Sequence, residues 1–140
     1  MVLNRQSEEG NVLVEFALIM PVLLLILAGI IQFGFLLNAK IAVNAASYEA
    51  ARSATLSDDP EADAIKAAET YASASLPGWS FGDRLNMEFI STGYLPGDKI
   101  QINLFYKVPL FFQGLLAIPG NSDNYFEIRG SSVMQIEEKE

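Results

Sequence analysis

The sequence predicts an α+β fold in which a long N-terminal transmembrane helix continues into a soluble helix. A second helix and a small antiparallel sheet of about three strands follow. Three observations support this prediction. No charged residue occurs between Phe16 and Ala39, good helix formers then continue without Gly or Pro as far as Pro60, and strand-like alternation begins only later. The first helix therefore has its N-terminal half in lipid and its C-terminal half in water.

The apolar run is long enough to cross a bilayer. Residues 16–39 would span about 36 Å as a helix, whereas the hydrocarbon core of a bilayer is about 30 Å thick. A cleaved secretory signal is the alternative, but its apolar core is only about 7–15 residues long and small residues precede its cut. The LLNAK sequence at the end of the run lacks that pattern. We assign residues 11–39 to a transmembrane helix and residues 40–140 to an α+β region outside the lipid.

Several classes of chemistry are excluded by the residue types that the chain lacks. It contains no cysteine and no histidine, so disulfides and thiolate or imidazole metal sites are absent. It has no Gly-rich phosphate loop and no nucleophile elbow. The acidic residues between 58 and 63 lack the spacing and the glycine of an EF-hand. We therefore predict no catalytic residues, no cofactor and no metal, and an enzyme site built only from carboxylates is the remaining alternative.

The chain is acidic after the transmembrane helix. Its net charge is −8, and residues 41–140 contain seven basic and fourteen acidic side chains. An acidic surface disfavours nucleic acid and anionic lipid as partners. We therefore predict no nucleic-acid partner, and solubility alone is sufficient to explain the charge.

The second helix and the strands are predicted from local signals. Asp59 can cap a helix whose first position is Pro60, and small or apolar residues share one face from residue 61 to about residue 75. Alternating or apolar stretches predict strands at 87–90, 99–108 and 125–136. Residues 93–98, which include a Pro-Gly pair, predict a hairpin loop, and Gly130-Ser131-Ser132 suggests a bulge.

Special residues along the first helix indicate bends and packing contacts. Pro21 lacks an N–H, so the helix loses a hydrogen bond and can bend there. Gln32 can hydrogen-bond across helices in lipid or mark the outer membrane interface. Four alanines lie at four-residue spacing, namely Ala42, Ala46, Ala50 and Ala54. That face can admit another helix closely or pack on the protein's own β region, and the sequence leaves both alternatives open.

One carboxylate, Glu15, lies inside the apolar run with no basic residue nearby. An ionised side chain in a membrane helix costs about 2.5–3.5 kcal/mol. If the chain were cut after Gly10, the α-amine of Asn11 would be a cation one helical turn before Glu15. The amine of one copy could then pair with Glu15 of a neighbouring copy and offset part of the burial cost. The alternative is that Gly10 is only a flexible entry to the helix and Glu15 lies at the headgroups.

The leader and the helix resemble those of type IV prepilins. Their class III signal peptides combine a short polar leader, a terminal glycine, an apolar helix and a glutamate at the fifth mature position. Residues 1–10 fit this pattern, and a glycine before the cut allows close approach of a peptidase. The leader carries Arg5 against Glu8 and Glu9, so its charge does not fix the orientation.

A longer set of motifs extends from residue 10 to residue 54. They are Val14-Glu15-Phe16-Ala17-Leu18, Pro21, Gly29-Ile30-Ile31-Gln32-Phe33-Gly34, Ala45-Ala46 and Glu49-Ala50-Ala51-Arg52. These motifs are similar to the TadE-like family, the minor pilins or pseudopilins of the tight-adherence (Tad, Flp-type) pilus system. The resemblance implies that Gly29 and Gly34 are also helix-packing residues. Relatives often have an acidic residue at position 32 and a basic one at position 35, where this chain has Gln32 and Phe35.

The resemblance implies an assembly function without chemistry of its own. A prepilin peptidase would remove residues 1–10 on the cytoplasmic side, between Gly10 and Asn11. The mature helix would cross the bacterial inner membrane once, with the α+β region extracytoplasmic. The protein would assist assembly of the Tad pilus with other pilins, pseudopilins and the assembly platform, either outside the filament or within it. An uncleaved membrane-anchored module that binds an extracytoplasmic partner is the alternative.

Overall fold

The computed structural model describes residues 5–76, 82–111 and 125–137. Within these ranges it contains the helices α1 (Arg5–Leu56) and α2 (Pro60–Ser75) and the strands β1 (Leu85–Ser91), β2 (Lys99–Pro109) and β3 (Tyr125–Gln135). The predicted α+β fold class, with a long first helix and a three-stranded antiparallel sheet, is confirmed. Residues 1–4 of the predicted leader lie outside the described residues.

The first helix, α1, is a single element of 52 residues, about 78 Å long at 1.5 Å per residue. It continues through Pro21 without interruption and begins at Arg5, before the predicted start of the transmembrane helix at Asn11. No break in the helix separates the half predicted to lie in lipid from the half that packs on the rest of the chain. Any membrane boundary is therefore set by what surrounds α1, since its backbone is continuous.

The second helix, α2, begins as its sequence signals predict. The Asp59 carboxylate accepts a hydrogen bond from the backbone N–H of Ala62, and the Asp59 carbonyl accepts one from the N–H of Asp63. Pro60 occupies the first position, where its missing N–H has no helical partner to lose. The buried face of α2 is made only of alanines, namely Ala64, Ala68 and Ala72. These small side chains pack in the same core as the alanines of α1 and allow a close approach of the two helices.

The sheet is antiparallel with the order β1-β2-β3, and its register is continuous. Leu104 pairs with Gly130 and Asn103 with Ser131, with no inserted residue. The predicted bulge at Gly130 is therefore wrong. A different constraint explains why position 130 is a glycine. A Cβ added there would lie 2.7 Å from the Val43 carbonyl oxygen. Glycine is needed for the close contact between β3 and α1.

The core lies between α1, α2 and the inner face of the sheet. Alternate residues of β2 supply most of its large side chains, namely Ile100, Ile102, Leu104, Tyr106 and Val108. On the opposite face Asn103 is also buried, at 1% exposure. Its side chain donates to Glu88 at 2.8 Å and accepts from Ser131 at 2.7 Å. The three strands are therefore linked by side chains as well as by the backbone.

Tyr106 makes the stability of this core dependent on pH at the alkaline end. Burial raises the pKa of Tyr106 above its ordinary value of 10.0, although the neighbouring Arg84 lowers the pKa in part. A raised folded-state pKa contributes stability that is fully present below pH 10 and is lost as the pH rises through the folded value. We expect the free energy of unfolding to fall in that window by up to about 1.4 kcal/mol per pH unit. Denaturant titrations of the native chain and of Tyr106→Phe measure this, and an equal slope in both chains would contradict it.

Candidate membrane anchor and assembly surface

The N-terminal half of α1 is uncovered by the rest of the chain. Every residue from Gly10 to Leu27 is exposed, and the large apolar side chains there have exposed fractions between 45% and 72%. Exposed apolar surface is unfavourable in water by about 25 cal/mol per Å². The core helix of a soluble protein would be mostly buried, whereas only 6% of the most apolar window of this helix is buried. By length and composition α1 can therefore cross a membrane, which supports a role as a membrane anchor, and it is the one candidate span among the described residues.

Glu15 is the one acidic residue on this uncovered surface, and no basic side chain among the described residues lies near it. Arg5 lies ten residues before it and Lys40 lies 25 residues after it, which correspond to about 15 Å and about 38 Å along a helix. Neither separation allows an ion pair between side chains. Among the residues that the structure describes, none therefore supplies a cation to Glu15.

The glycines of α1 are not required by packing within the chain. A Cβ added at Gly10, Gly29 or Gly34 would meet no atom within 4 Å. Gly29 and Gly34 are five residues apart and so lie on different faces of the helix. The predicted packing role of these glycines is accordingly a hypothesis about neighbouring molecules and not about the fold of this chain.

Gln32 holds α1 to the end of β2. Its side chain is only 3% exposed. The amide nitrogen donates to the Pro109 carbonyl at 3.3 Å, and the amide oxygen accepts from the Phe111 N–H at 3.0 Å. Beside this pair, the rings of Phe35 and Phe111 lie 4.9 Å apart. Gln32 therefore makes its hydrogen bonds inside the chain, and the folded region extends further down the helix than the predicted boundary at residue 39.

The alanine face of α1 is buried in the chain's own core. Ala42, Ala46, Ala50 and Ala54 are all buried, together with Val43 between them. The sequence left open whether this face admits another helix or packs within the chain. In the structure it is enclosed by α2 and the sheet, so it is not a free surface for a neighbouring helix.

Two further contacts join α1 to β3, and neither was predicted from the sequence. The Lys40 ammonium donates a hydrogen bond to the Arg129 carbonyl, and Gly130 lies against the Val43 backbone. A glycine within a strand is a signal of close backbone approach, and this signal was available at Gly130. Nothing in the local sequence marks Lys40, since its partner is a backbone atom 89 residues away.

Acidic residues at the junction of α1 and α2 and in the first turn of α2 have structural partners. Asp59 caps α2, and the Ser57 hydroxyl donates to the Asp63 carboxylate. Across the ranges 5–76, 82–111 and 125–137, no group of three or more potential metal-binding side chains comes together. The structure therefore gives these residues a role in ending one helix and starting the next.

These features define a class of protein in which one apolar anchor helix also supports a small α+β region. Within that class, residues 10–52 match the family model described as TadE-like protein, which confirms the resemblance carried by the N-terminal motifs. The family is one of pilus-associated structural proteins and is not known as enzymatic, and the match supports a Tad-pilus-associated role in general. The match ends within α1, before α2 and the sheet. No curated protein and no solved structure matches the chain.

Proposed function

We propose that the chain is a TadE-like pseudopilin, a non-catalytic inner-membrane subunit that assists assembly of the Tad pilus. Its N-terminus is cytoplasmic and its α+β region extracytoplasmic. A prepilin peptidase removes residues 1–10 between Gly10 and Asn11, and the mature subunit then associates with other pilins and the assembly platform. The family match over residues 10–52 supports the general role.

The observation that carries this proposal is the position of Glu15. It lies on a helix surface that is apolar and exposed from Gly10 to Leu27, and no basic side chain of residues 5–76, 82–111 or 125–137 is within reach. A carboxylate in such a place is unfavourable in lipid unless a cation approaches it. Side-by-side assembly of processed helices supplies one, because each new N-terminus carries an α-amine.

Cleavage after Gly10 would also change the electrostatic environment of Glu15 within its own helix. In the uncleaved chain Glu15 is the eleventh residue of α1, which begins at Arg5. In the product it would be the fifth residue. Its side chain would then lean towards the first turn, where backbone N–H groups lack partners and the helix dipole is positive. Processing therefore converts an isolated carboxylate into one that is stabilised at a helix N-terminus.

The peptide bond after Gly10 lies inside α1, so a peptidase must unwind the helix locally. Glycine is disfavoured in a helix by about 1 kcal/mol relative to alanine. Gly10 is the first glycine of α1 and the only one before Gly29. Local opening is consequently easier at the proposed cut than at the neighbouring residues.

The continuous helix across residues 10 and 11 also favours a second candidate function. An uncleaved chain would hold its α+β region at the membrane surface as an extracytoplasmic binding module. This candidate leaves Glu15 without an internal cation, so it accounts for less of the N-terminal half of α1.

Intact mass and N-terminal sequencing distinguish the two candidates. We expect a product that begins at Asn11 when the chain is expressed with a prepilin peptidase, and an uncut chain without one. Gly10→Leu is expected to block processing, and its added side chain meets no atom of the chain within 4 Å of the Cβ position. Gly34→Leu is the matched control, because it adds the same side chain at another exposed glycine of α1, far from the cut. A chain that still begins at Met1 or Val2 in the presence of the peptidase would support the binding module instead.

A further inference from the structure

Apolar exposure on α1 continues past the level at which the folded region begins. Gln32 is buried against the end of β2, yet Ile30, Phe33 and Leu37 on other sides of the helix are exposed. At this level one side of α1 touches protein and the remaining sides present apolar side chains. This surface is continuous with the fully exposed anchor that precedes it.

The length of the helix places this level at the edge of the bilayer. Residues 11–39 would extend about 44 Å along a helix, which exceeds the hydrocarbon thickness of about 30 Å. Residues 11–31 extend about 32 Å, which matches that thickness. If the anchor starts at Asn11, the hydrocarbon ends close to Gln32, where β2 joins the helix.

Phe111 is held at this level and is still exposed. Its backbone N–H donates to Gln32, its ring contacts Phe35, and its side chain is nevertheless 55% exposed. A large apolar side chain that is fixed at two points and still exposed has an unfilled contact surface. Exposed Phe, Trp and Leu side chains of membrane-bound segments bury at the boundary between headgroups and acyl chains, and Phe111 lies at that level.

We propose that Phe111, together with Phe33 and Phe35, inserts into the outer interface of the bilayer. This insertion holds the end of β2 at the membrane surface. The α+β region then lies directly on the lipid surface. The proposal rests on the proposed function in two respects, namely that α1 spans the membrane and that its span starts at Asn11. The contact is with the boundary between headgroups and acyl chains and does not depend on anionic lipid, because residues 41–140 carry an excess of acidic side chains.

Tryptophan fluorescence in vesicles tests this proposal with the full chain. The single native tryptophan is first removed by Trp79→Phe, and one reporter is then introduced by Phe111→Trp, Leu25→Trp or Tyr94→Trp. Leu25 lies inside the span of residues 11–31, about 10 Å along the helix from Gln32. Tyr94 is exposed in the hairpin between β1 and β2, at the other end of β2 and about 36 Å from the interface for eleven strand residues. The vesicles contain phosphatidylcholine brominated on the acyl chains, with and without phosphatidylglycerol.

We expect quenching at positions 25 and 111 that is severalfold stronger than at position 94, with a blue-shifted emission at 111 that does not change with phosphatidylglycerol content. If position 25 is quenched but position 111 is quenched no more than position 94, the result would overturn this proposal and leave the membrane anchor intact. Absence of quenching at 25 would overturn the anchor as well. A blue shift at 111 without quenching, dependent on protein concentration, would assign the surface to a second copy of the chain and also overturn the proposal. Leu110→Trp, at the adjacent and partly buried position, is the reporter if Phe111→Trp does not fold.

Discussion

Glu15→Ala is expected to leave membrane insertion intact and to reduce pilus assembly about tenfold or more. The two effects have opposite signs because the same charge acts in both processes. Removal of a carboxylate from a membrane helix makes insertion more favourable by about 2.5–3.5 kcal/mol. Removal of its pairing with an α-amine weakens subunit association, and a loss of about 1.4 kcal/mol corresponds to a tenfold change. Membrane fractionation and the amount of sheared pilus in cells measure the two effects separately.

Two substitutions give this test its controls. Glu15→Asp retains the charge on a shorter side chain and is expected to keep more assembly than Glu15→Ala. Leu18→Ala removes apolar surface from an exposed neighbouring position on the same helix and leaves the carboxylate in place. Equal assembly in the native chain and in Glu15→Ala would show that Glu15 needs no partner and would place it at the headgroups.

The elements of the fold were predictable because their signals are local. A charge-free run, an Asp-Pro helix start and alternating apolar residues each act within a few positions of the chain. The structure accordingly extends β1 from the predicted 87–90 to Leu85–Ser91 and ends α2 at Ser75, close to the predicted limit. These are shifts in boundaries and not in the type of element.

The contacts between the elements were not predictable, because their partners are distant in sequence. Gln32 bonds to backbone atoms 77 and 79 residues away, and an amide side chain in an apolar helix has several plausible partners. The alanine face shows the same limit, since small residues at four-residue spacing suit an internal and an external helix equally. For the candidate site, sequence shows that Glu15 lies in an apolar run. The exposure of that whole helix surface is visible only once the rest of the chain is packed.

Gly130 is the position at which such a distant contact has its largest expected effect on stability. β3 crosses α1 there so closely that an added Cβ would lie 2.7 Å from the carbonyl oxygen and 2.8 Å from the carbonyl carbon of Val43. Both atoms belong to the helix backbone, so they cannot turn aside as a flexible side chain can. We expect Gly130→Ala to destabilise the α+β region by about 1–3 kcal/mol, the usual range for overpacking a tightly packed core. Thermal unfolding in detergent, followed by far-ultraviolet circular dichroism, measures the change.

Ser132→Ala is the matched control for this prediction. Ser132 lies two residues further along the same strand, on the same face and with partial burial. Its substitution adds no atoms, so its melting temperature is expected to stay near that of the native chain. A shift of about 4–8 °C per kcal/mol is typical of a region of this size, so the expected loss in Gly130→Ala is measurable. Equal melting temperatures for the two variants would mean that α1 and β3 can separate at Val43 without cost. The rest of the apolar core between α1 and the sheet would then be sufficient to hold the two together.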